Sequence, residues 1–316
     1  MIFVIFILTL LLFIFYLNIK YIDTNGYKNI NQQLEKFNNV PENLKIVCTG
    51  SSYAKYGIDF LNLPGFNFAL APQSISYDFK ILKHYAPQIS QNSIIVIVLP
   101  NLVFAFRDYK DKQIDYRYYK FLDAKYINNY SKIDAFFLNY FPILKAGRRI
   151  RYLLRDAQPV DEMKVMHYWN NEKECVKFAE ERIIGWQKQF KMNKLEVECI
   201  SMQMEKEFNF TVSLLKNMIK YCIDMKWRPV LVVPPCSKIL NSKIDRNFMD
   251  KVLFNNIKRA NIYDIPLLNY LYDEEFSDYK LYLWSDCLNP EGRKRFTKRL
   301  LYDIKKFIQS GDCYDE

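Results

Sequence analysis

The sequence predicts an α/β fold with three layers, in which a mostly parallel five-stranded sheet lies between helices. Strand-like and helix-like segments alternate along the chain from Leu44 onward. Two runs, 93–100 and 228–235, are apolar and largely β-branched, which is typical of strands buried on both faces. The chain has 316 residues, half of them apolar, and is therefore long enough to bury such a sheet.

The start of the chain predicts a membrane anchor. Residues 2–19 carry no charged side chain, and as a helix they would extend roughly 27 Å, close to the thickness of a bilayer core. No small-residue cleavage motif follows, so residues 1–20 are predicted to be an uncleaved transmembrane helix. The polar, Asn-rich residues 21–43 are predicted to form a stalk. The lysines after the span favour a cytoplasmic body, which leaves the orientation open at this point.

The body after the stalk contains five predicted strands, which are 44–50, 66–71, 93–100, 228–235 and 261–266. Helices are predicted at 74–86, 204–225, 248–260 and from Pro290, where Asn289 is a suitable N-cap. Residues 104–200 are rich in Tyr, Phe and charge without a clear strand, and are predicted to be a helical insertion. The predicted α/β domain therefore comprises 44–103 and 201–316.

The formal net charge of +10 favours an anionic partner such as a lipid head group, an acidic glycan or nucleic acid. No nucleic-acid-reading motif is present, and a membrane anchor also argues against that class. The stretch "KAGRRIRYLLR", residues 145–155, is predicted to be a basic amphipathic helix. Its Arg148, Arg149 and Arg155 could contact an anionic membrane or an acidic glycan. A solvated surface helix is the alternative.

Seven cysteines are scattered through the chain without a CxxC pair. The sequence therefore predicts no metal site, no disulfide framework and no cofactor. Cys236 and Cys287 follow neighbouring predicted strands and could pair if oxidised.

The turn in "CTGSSYAKYG" carries the candidate nucleophile, Ser52. The carboxyl ends of parallel strands meet at one edge of a sheet, so Ser52, Asn101 and the 284–289 loop should converge there. A hydroxyl at a helix N-terminus also lies beside backbone N–H groups that favour an oxyanion. The alternative is that Ser51 or Ser52 only caps the helix.

Four segments, in this order, resemble the SGNH/GDSL hydrolase superfamily, namely "GSSYAKYGID", "GFNFALAPQSISYDFKILK", "VLVVPP" and "DCLNPEGRKRFT". They are most similar to its membrane-anchored branch, which is associated with O-acylation of surface glycans and D-alanyl transfer to teichoic acid. The resemblance implies that Ser52 is the nucleophile and that an Asp–His pair precedes "LN". It also implies oxyanion donors at Tyr53, Gln73 and Asn101, although Pro72, which has no N–H, competes with Gln73 for its position.

The acid and base of this pattern are replaced. Cys287 occupies the usual His position, Trp284 occupies the usual Asp position, and Asp286 is the nearest possible acid. A thiol accepts a proton only as a thiolate, which an adjacent Asp286 would disfavour. Neither His84 nor His167 occupies a family position, but His167 in the insertion could reach the site.

We therefore expect a membrane-anchored, SGNH-like protein of a cell-surface polysaccharide pathway, with an extracytoplasmic body. Its ancestral activity would be that of an O-acyl esterase or acyltransferase, impaired by loss of the standard acid–base pair. Expected partners are the membrane through residues 2–19, an acylated or acidic surface glycan and a membrane acyltransferase. The alternative is a non-catalytic membrane scaffold, or a protein that binds glycan or a partner.

Overall fold

The computed structural model describes residues 1–60, 63–106, 112–158 and 171–311. His167 lies outside these residues. The chain forms two compact units, one from residues 1–40 and 109–165 (the N-terminal unit) and one from residues 41–108 and 166–316 (the sheet unit). The domain boundaries given above stay predictions.

The described strands are β1 (Leu44–Thr49), β2 (Gly65–Asn67), β3 (Ile89–Val98), β4 (Arg228–Val233) and β5 (Leu267–Asn269). The described α-helices are α1 (Ile2–Asp23), α2 (Asn25–Gln32), α3 (Ser52–Gly57), α4 (Ile75–His84), α5 (Lys112–Asp115), α6 (Lys132–Tyr140), α7 (Glu172–Phe190), α8 (Met202–Asp224), α9 (Lys238–Asn241), α10 (Arg246–Met249), α11 (Asn255–Ala260) and α12 (Pro290–Gly311). Short 3₁₀ segments include Glu35–Asn39, Tyr116–Lys120, Pro142–Lys145 and Gly147–Leu153.

The strands form one sheet in the order β2-β1-β3-β4-β5, and every adjacent pair is parallel. This confirms the predicted α/β fold class. The strand order reverses between β1 and β3. In doubly wound sheets with this order, ligands bind outside the carboxyl ends of the strands at that reversal.

The fifth strand lies later than predicted. In the predicted range 261–266, the Asn261 side chain accepts a hydrogen bond from the Ile265 N–H (3.0 Å) and donates one to the Ile265 carbonyl (2.8 Å). Asp264 has a positive φ of 50°. This local closure makes a turn, because Asn side chains compete with strand hydrogen bonds. Pairing with β4 begins only at Leu267.

Both faces of the sheet are covered. Cys48, Val96 and Val230, at paired positions of β1, β3 and β4, belong to the same apolar cluster as residues of α12. Neighbouring strand residues, which point to the opposite face, are also fully buried, for example Val47 and Leu231. The three central strands therefore read as continuous apolar runs because both faces are dry.

The last helix, α12, packs against α3. Asn289 caps α12, because its Oδ1 accepts from the Gly292 N–H at 2.9 Å while its amide donates to the Lys280 carbonyl at 2.7 Å. A side chain at Gly292 would collide with the Leu281 carbonyl. On α12, the Thr297 hydroxyl accepts from the Asp59 N–H just after α3, at 3.1 Å. The two ends of the sheet unit are thus joined directly.

In the N-terminal unit, α1 is long and apolar enough to cross a membrane, with a mean hydropathy of 2.9. Most of its side chains are exposed, but Asn18 is buried. Its amide donates to the Tyr140 carbonyl (3.0 Å), and its Oδ1 accepts from the Ile143 N–H (3.2 Å). The segment predicted as a stalk contains α2 and a 3₁₀ turn whose Phe37 is buried and stacks on Phe121.

The predicted α-helix at 145–155 is wrong. Residues Gly147–Leu153 form a 3₁₀ helix, in which side chains three apart align. Within this segment, Tyr152 packs directly over Gly26, where a side chain would collide with its ring. Arg148 and Arg155 are exposed, whereas Arg149 is half-buried.

We expect the Asn289 cap to be measurable in stability. Asn289→Ala removes the cap and leaves the Lys280 carbonyl unpaired, which should lower the free energy of unfolding by about 2 kcal/mol. Asn289→Ser keeps a capping oxygen but cannot reach Lys280, and should lose about 1 kcal/mol. Urea unfolding measures both, and equal losses would contradict a capping role.

Candidate functional site

The turn after β1 is held in one shape. Gly50 has a φ of +140°, and a side chain there would lie 2.9 Å from the Ala54 Cβ and 3.2 Å from the Val98 Cβ. Its N–H donates to Asp78 Oδ1 (2.9 Å), and its carbonyl accepts from the Gln73 side chain (3.1 Å). The Gln73 carboxamide also donates to Asp78 Oδ1 at 2.6 Å. Gln73 therefore fixes this turn through its side chain, and the role predicted for its backbone amide stays a prediction.

Ser52 is the first residue of α3 and is half-buried. Ser51 occupies the N-cap position, but its side chain makes no capping hydrogen bond. The first intrahelical hydrogen bonds run from the Ala54 and Lys55 N–H groups to the Ser51 carbonyl. The N–H groups of Ser52 and Tyr53 precede them, as the first amides of a helix do. The turn thus exposes a hydroxyl beside helix N-terminal donors.

A tight loop brings the far end of the chain to Ser52. The Leu283 N–H donates to the Cys287 carbonyl at 2.7 Å, and Ser285, inside the loop, has a left-handed φ of +54°. The Ser52 side chain lies close enough to the Cys287 sulfur to act against the rise in the pKa of that thiol, so the residue at the usual His position faces the candidate nucleophile.

Cys287 is a poor base in this position. Its side chain is 2% exposed, and burial, followed by the negative charge of Asp286, raises the pKa of its thiol well above the ordinary value. The positive charge of Arg182 and the nearby Ser52 side chain oppose this shift in the pKa but do not reverse it. The sulfur is therefore a neutral thiol, which does not accept the Ser52 proton.

Asp286 is buried and fully engaged. Its carboxylate accepts from Arg182 Nε at 3.0 Å and from Arg182 Nη2 at 3.1 Å, a two-pronged pairing. It also accepts from the Tyr53 hydroxyl at 2.8 Å. Burial raises the pKa of Asp286, while Arg182 and Tyr53 act against that rise. The carboxylate is thus hydrogen-bonded to Arg182 and Tyr53. Because these two groups occupy it, the carboxylate is not free to orient a general base.

Asn101, after β3, reaches the same region through Cys236, after β4. Burial and then the charge of Asp286 raise the pKa of the Cys236 thiol, and the Asn101 carboxamide opposes the rise. Cys236 and Cys287 are both free thiols. The Asn101 side chain is 1% exposed, yet neither polar atom of its carboxamide has a partner of hydrogen-bond geometry among the described residues. The hydroxyl of Ser285 is orphaned in the same way.

Beyond Cys236 lies a cavity of about 670 Å³ at the carboxyl ends of β4 and β5. Its lining is polar and of mixed charge, and the Arg246 guanidinium lies 5.1 Å from the centre of the Tyr272 ring. The volume falls within the range of small-molecule sites. An exposed aromatic ring flanked by charged and hydroxyl groups is a suitable lining for a hydrophilic ligand.

The structure thus brings Ser52, Tyr53, Asp286 and Cys287 together, with Asn101 next to them. Sequence reasoning missed Arg182, because a single Arg within an amphipathic helix carries no local signal. His84 is the last residue of α4, ten residues from its start and so about 15 Å along the helix, and its ring packs edge-on against Tyr85. The predicted anion-binding residues, Arg148, Arg149 and Arg155, belong to the other unit.

Comparisons with known proteins add little to this geometry. No protein-family model matches the chain, and no curated protein matches it. Among solved structures it is similar to one from Bacteroides fragilis NCTC 9343 described as "a putative acylhydrolase". That alignment has a TM-score of 0.41 and 9% sequence identity, and it covers 88% of this chain and 97% of the other.

We expect Arg182→Met to destabilise the protein at neutral pH. The substitution leaves the buried Asp286 carboxylate without its counter-ion. Arg182 is itself 36% exposed, so screening should reduce the loss to about 2 kcal/mol. Arg295→Met, which removes an exposed pair with Glu291, should cost under about 0.5 kcal/mol.

The deficit of Arg182→Met should shrink on acidification. The pKa of Asp286 is already raised in the folded state, and losing Arg182 raises it further. A raised folded-state pKa gives stability that is complete below the ordinary pKa of an aspartate, near ~4, and is lost as the pH rises through the folded pKa. Urea midpoints from neutral pH to about pH 4 test this, and a pH-independent deficit would contradict it.

We expect Asn101→Leu to raise the free energy of unfolding, by about 1 kcal/mol, because it removes a buried carboxamide that lacks partners. The side chains are similar in volume, so packing should change little. A loss of stability on urea unfolding would show that the carboxamide is satisfied in solution.

Proposed function

We propose that this chain is a membrane-anchored, SGNH/GDSL-like protein that has kept the layout of an acyl-ester site but lost its serine hydrolase mechanism. The observation that carries the proposal is the Ser52–Cys287 contact, in which a neutral thiol stands where the mechanism needs an imidazole. The site would then bind an acylated ligand without rapidly cleaving it.

The argument rests on proton transfer. A serine hydroxyl attacks an ester only when a base removes its proton, and a positioned base contributes roughly 10²–10⁴-fold in rate. Among the described residues, the groups that contact Ser52 and its neighbours are a thiol with a raised pKa, a carboxylate held by Arg182 and Tyr53, and the phenol of Tyr53. None of these replaces an imidazole oriented by a free carboxylate.

The remaining groups suit binding. The first amides of α3 and the partnerless Asn101 carboxamide are hydrogen-bond donors for a carbonyl or carboxylate oxygen. The mixed-charge cavity beside Cys236 could hold the sugar that carries the acyl group. An acylated or acidic surface glycan is therefore the ligand class that we propose, in a polysaccharide pathway outside the cytoplasm, with a membrane acyltransferase as the proposed partner.

The N-terminal helix supports the anchored placement. Its length and composition suit a membrane span. An extracytoplasmic body is part of the proposal, since surface glycans are modified there. A reporter fused to the C-terminus, active on only one side of the membrane, tests that side directly.

We expect the native chain to lack Ser52-dependent reactivity. A fluorophosphonate probe and p-nitrophenyl acetate should give the same signal for the native chain and for Ser52→Ala, because nothing activates the hydroxyl. Labelling that disappears in Ser52→Ala would refute the proposal. His167→Ala would then show whether that histidine supplies the base.

Restoring the missing pair should restore reactivity. We expect Trp284→Asp combined with Cys287→His to gain fluorophosphonate labelling by at least about 10-fold, with Ser52→Ala in the same background as the control. Because Cys287 is fully enclosed, thermal unfolding must show that the variant folds. If the double variant does not fold, Cys287→Gly with added imidazole is the alternative. If folded variants of both kinds gain no labelling, the proposed arrangement of an acyl-ester site around Ser52 is contradicted.

A further inference from the structure

A small cationic cavity lies inside the N-terminal unit, and its lining shares no residue with the site described around Ser52. Its volume is about 60 Å³, enough for several waters or one phosphoryl group. Four basic side chains line it, and the lining contains no Asp or Glu. The basic residues are Arg117, Lys120, Lys145 and Arg149.

Arg117 is the most informative of these residues. It is 8% exposed, and its Nε has no hydrogen-bond partner among the described residues. The guanidinium donates through Nη2 to the Tyr118 hydroxyl at 2.8 Å and lies 4.8 Å from the centre of the same ring. Both contacts are with a neutral group. Among the described residues, no carboxylate pairs with Arg117, and a buried guanidinium without a counter-ion is costly.

The other cations are only partly compensated. Lys145 forms an ion pair with Asp134. Lys120 donates to the Leu138 carbonyl at 3.2 Å, and although the residue as a whole is exposed, burial of its ammonium group lowers its pKa. Arg149 is half-buried at the rim. Three positive charges therefore surround a space that contains polar side chains such as Asn31 and Gln113 but no negative charge.

The position of the cavity near the end of α1 favours a ligand found at the membrane surface. Tyr21 lines it, three residues beyond Asn18 and close to the end of α1 at Asp23. If α1 spans a bilayer, this part of the helix lies at the depth of the lipid head groups, since about 20 residues cross the hydrocarbon core. The neighbouring helix α6 contributes Leu138 to the cavity while Ile133 and Phe136 stay exposed.

We propose that this cavity is a phosphoryl-binding site, in which Arg117, Lys120 and Arg149 contact the oxygens of a phosphate group. Arginine forks match such oxygens in pairs, and lysine adds a point charge. The phosphate could belong to a lipid head group or to a free phosphate ester. The site is independent of the chemistry proposed for Ser52.

The test uses the full chain in detergent and in nanodiscs. In detergent, inorganic phosphate at constant ionic strength should raise the thermal midpoint in a saturable manner, because a ligand of the folded state stabilises it. If a lipid head group is the ligand, adding phosphatidic acid to phosphatidylcholine nanodiscs should also raise the thermal midpoint. A rise only with inorganic phosphate identifies the free ester, and no rise in either arm overturns the proposal.

Two variants distinguish phosphate binding in this cavity from nonspecific attraction of phosphate to a basic protein. Arg117→Met should weaken the apparent phosphate affinity by about tenfold to a hundredfold while leaving the ligand-free protein as stable or more so, because it removes an unpaired buried charge. Arg148→Met, an exposed arginine that does not line the cavity, should behave like the native chain.

A merely structural Arg117 would give the opposite result, namely a less stable ligand-free protein with an unchanged phosphate response. Equal responses of the Arg117 and Arg148 variants would also overturn the proposal. If Arg117→Met does not fold, Arg149→Met provides the same comparison at the rim of the cavity.

Discussion

The pairing of Asp286 with Arg182 is the constraint on which the candidate site depends. A carboxylate that is 2% exposed cannot stay ionised in a protein interior without a counter-charge, and α7 supplies it. Once Arg182 and the Tyr53 hydroxyl occupy the carboxylate, it cannot also orient a base. Burial, reinforced by the same negative charge, raises the pKa of the Cys287 thiol and keeps it protonated. One ion pair thus fixes the loop beside Ser52. It also leaves Ser52 without a general base and without a free carboxylate to orient one.

The sheet could be predicted because its central strands are buried on both faces, so that their apolar runs are continuous. β5 could not, since it has only three residues, two of them exposed, and an Asn261 turn occupies the neighbouring strand-like stretch. The meeting of Ser52 with Cys287 was also predictable, because parallel strands and the final helix bring those loops to one edge. That inference needed only topology, and the roles assigned to these residues stay predictions.

Two features were beyond sequence reasoning for a common reason. Arg182 pairs with an aspartate that lies 104 residues further along the chain, and Arg117 lines a cavity built from distant segments; neither arginine stands in a periodic sequence pattern. For residues 145–155 the error was the opposite one, because the sequence was interpreted with the 3.6-residue repeat of an α-helix. The 3₁₀ geometry of Gly147–Leu153 has a period of three, so Arg149 separates from Arg148, and only the former lines the cavity.

The two units treat buried charge in opposite ways, and this difference bears on where ligands act. In the sheet unit the buried Asp286 carboxylate of the candidate site is paired with an arginine and a phenol, and that of Asp78 accepts from the Gly50 N–H and the Gln73 side chain. The unsatisfied groups described at this site are neutral, and of these the Asn101 carboxamide favours a carbonyl oxygen. In the N-terminal unit the unsatisfied group is a guanidinium, which favours an anion. An unpaired buried charge costs more than an unpaired amide, so the phosphoryl site is under the stronger physical demand for its ligand.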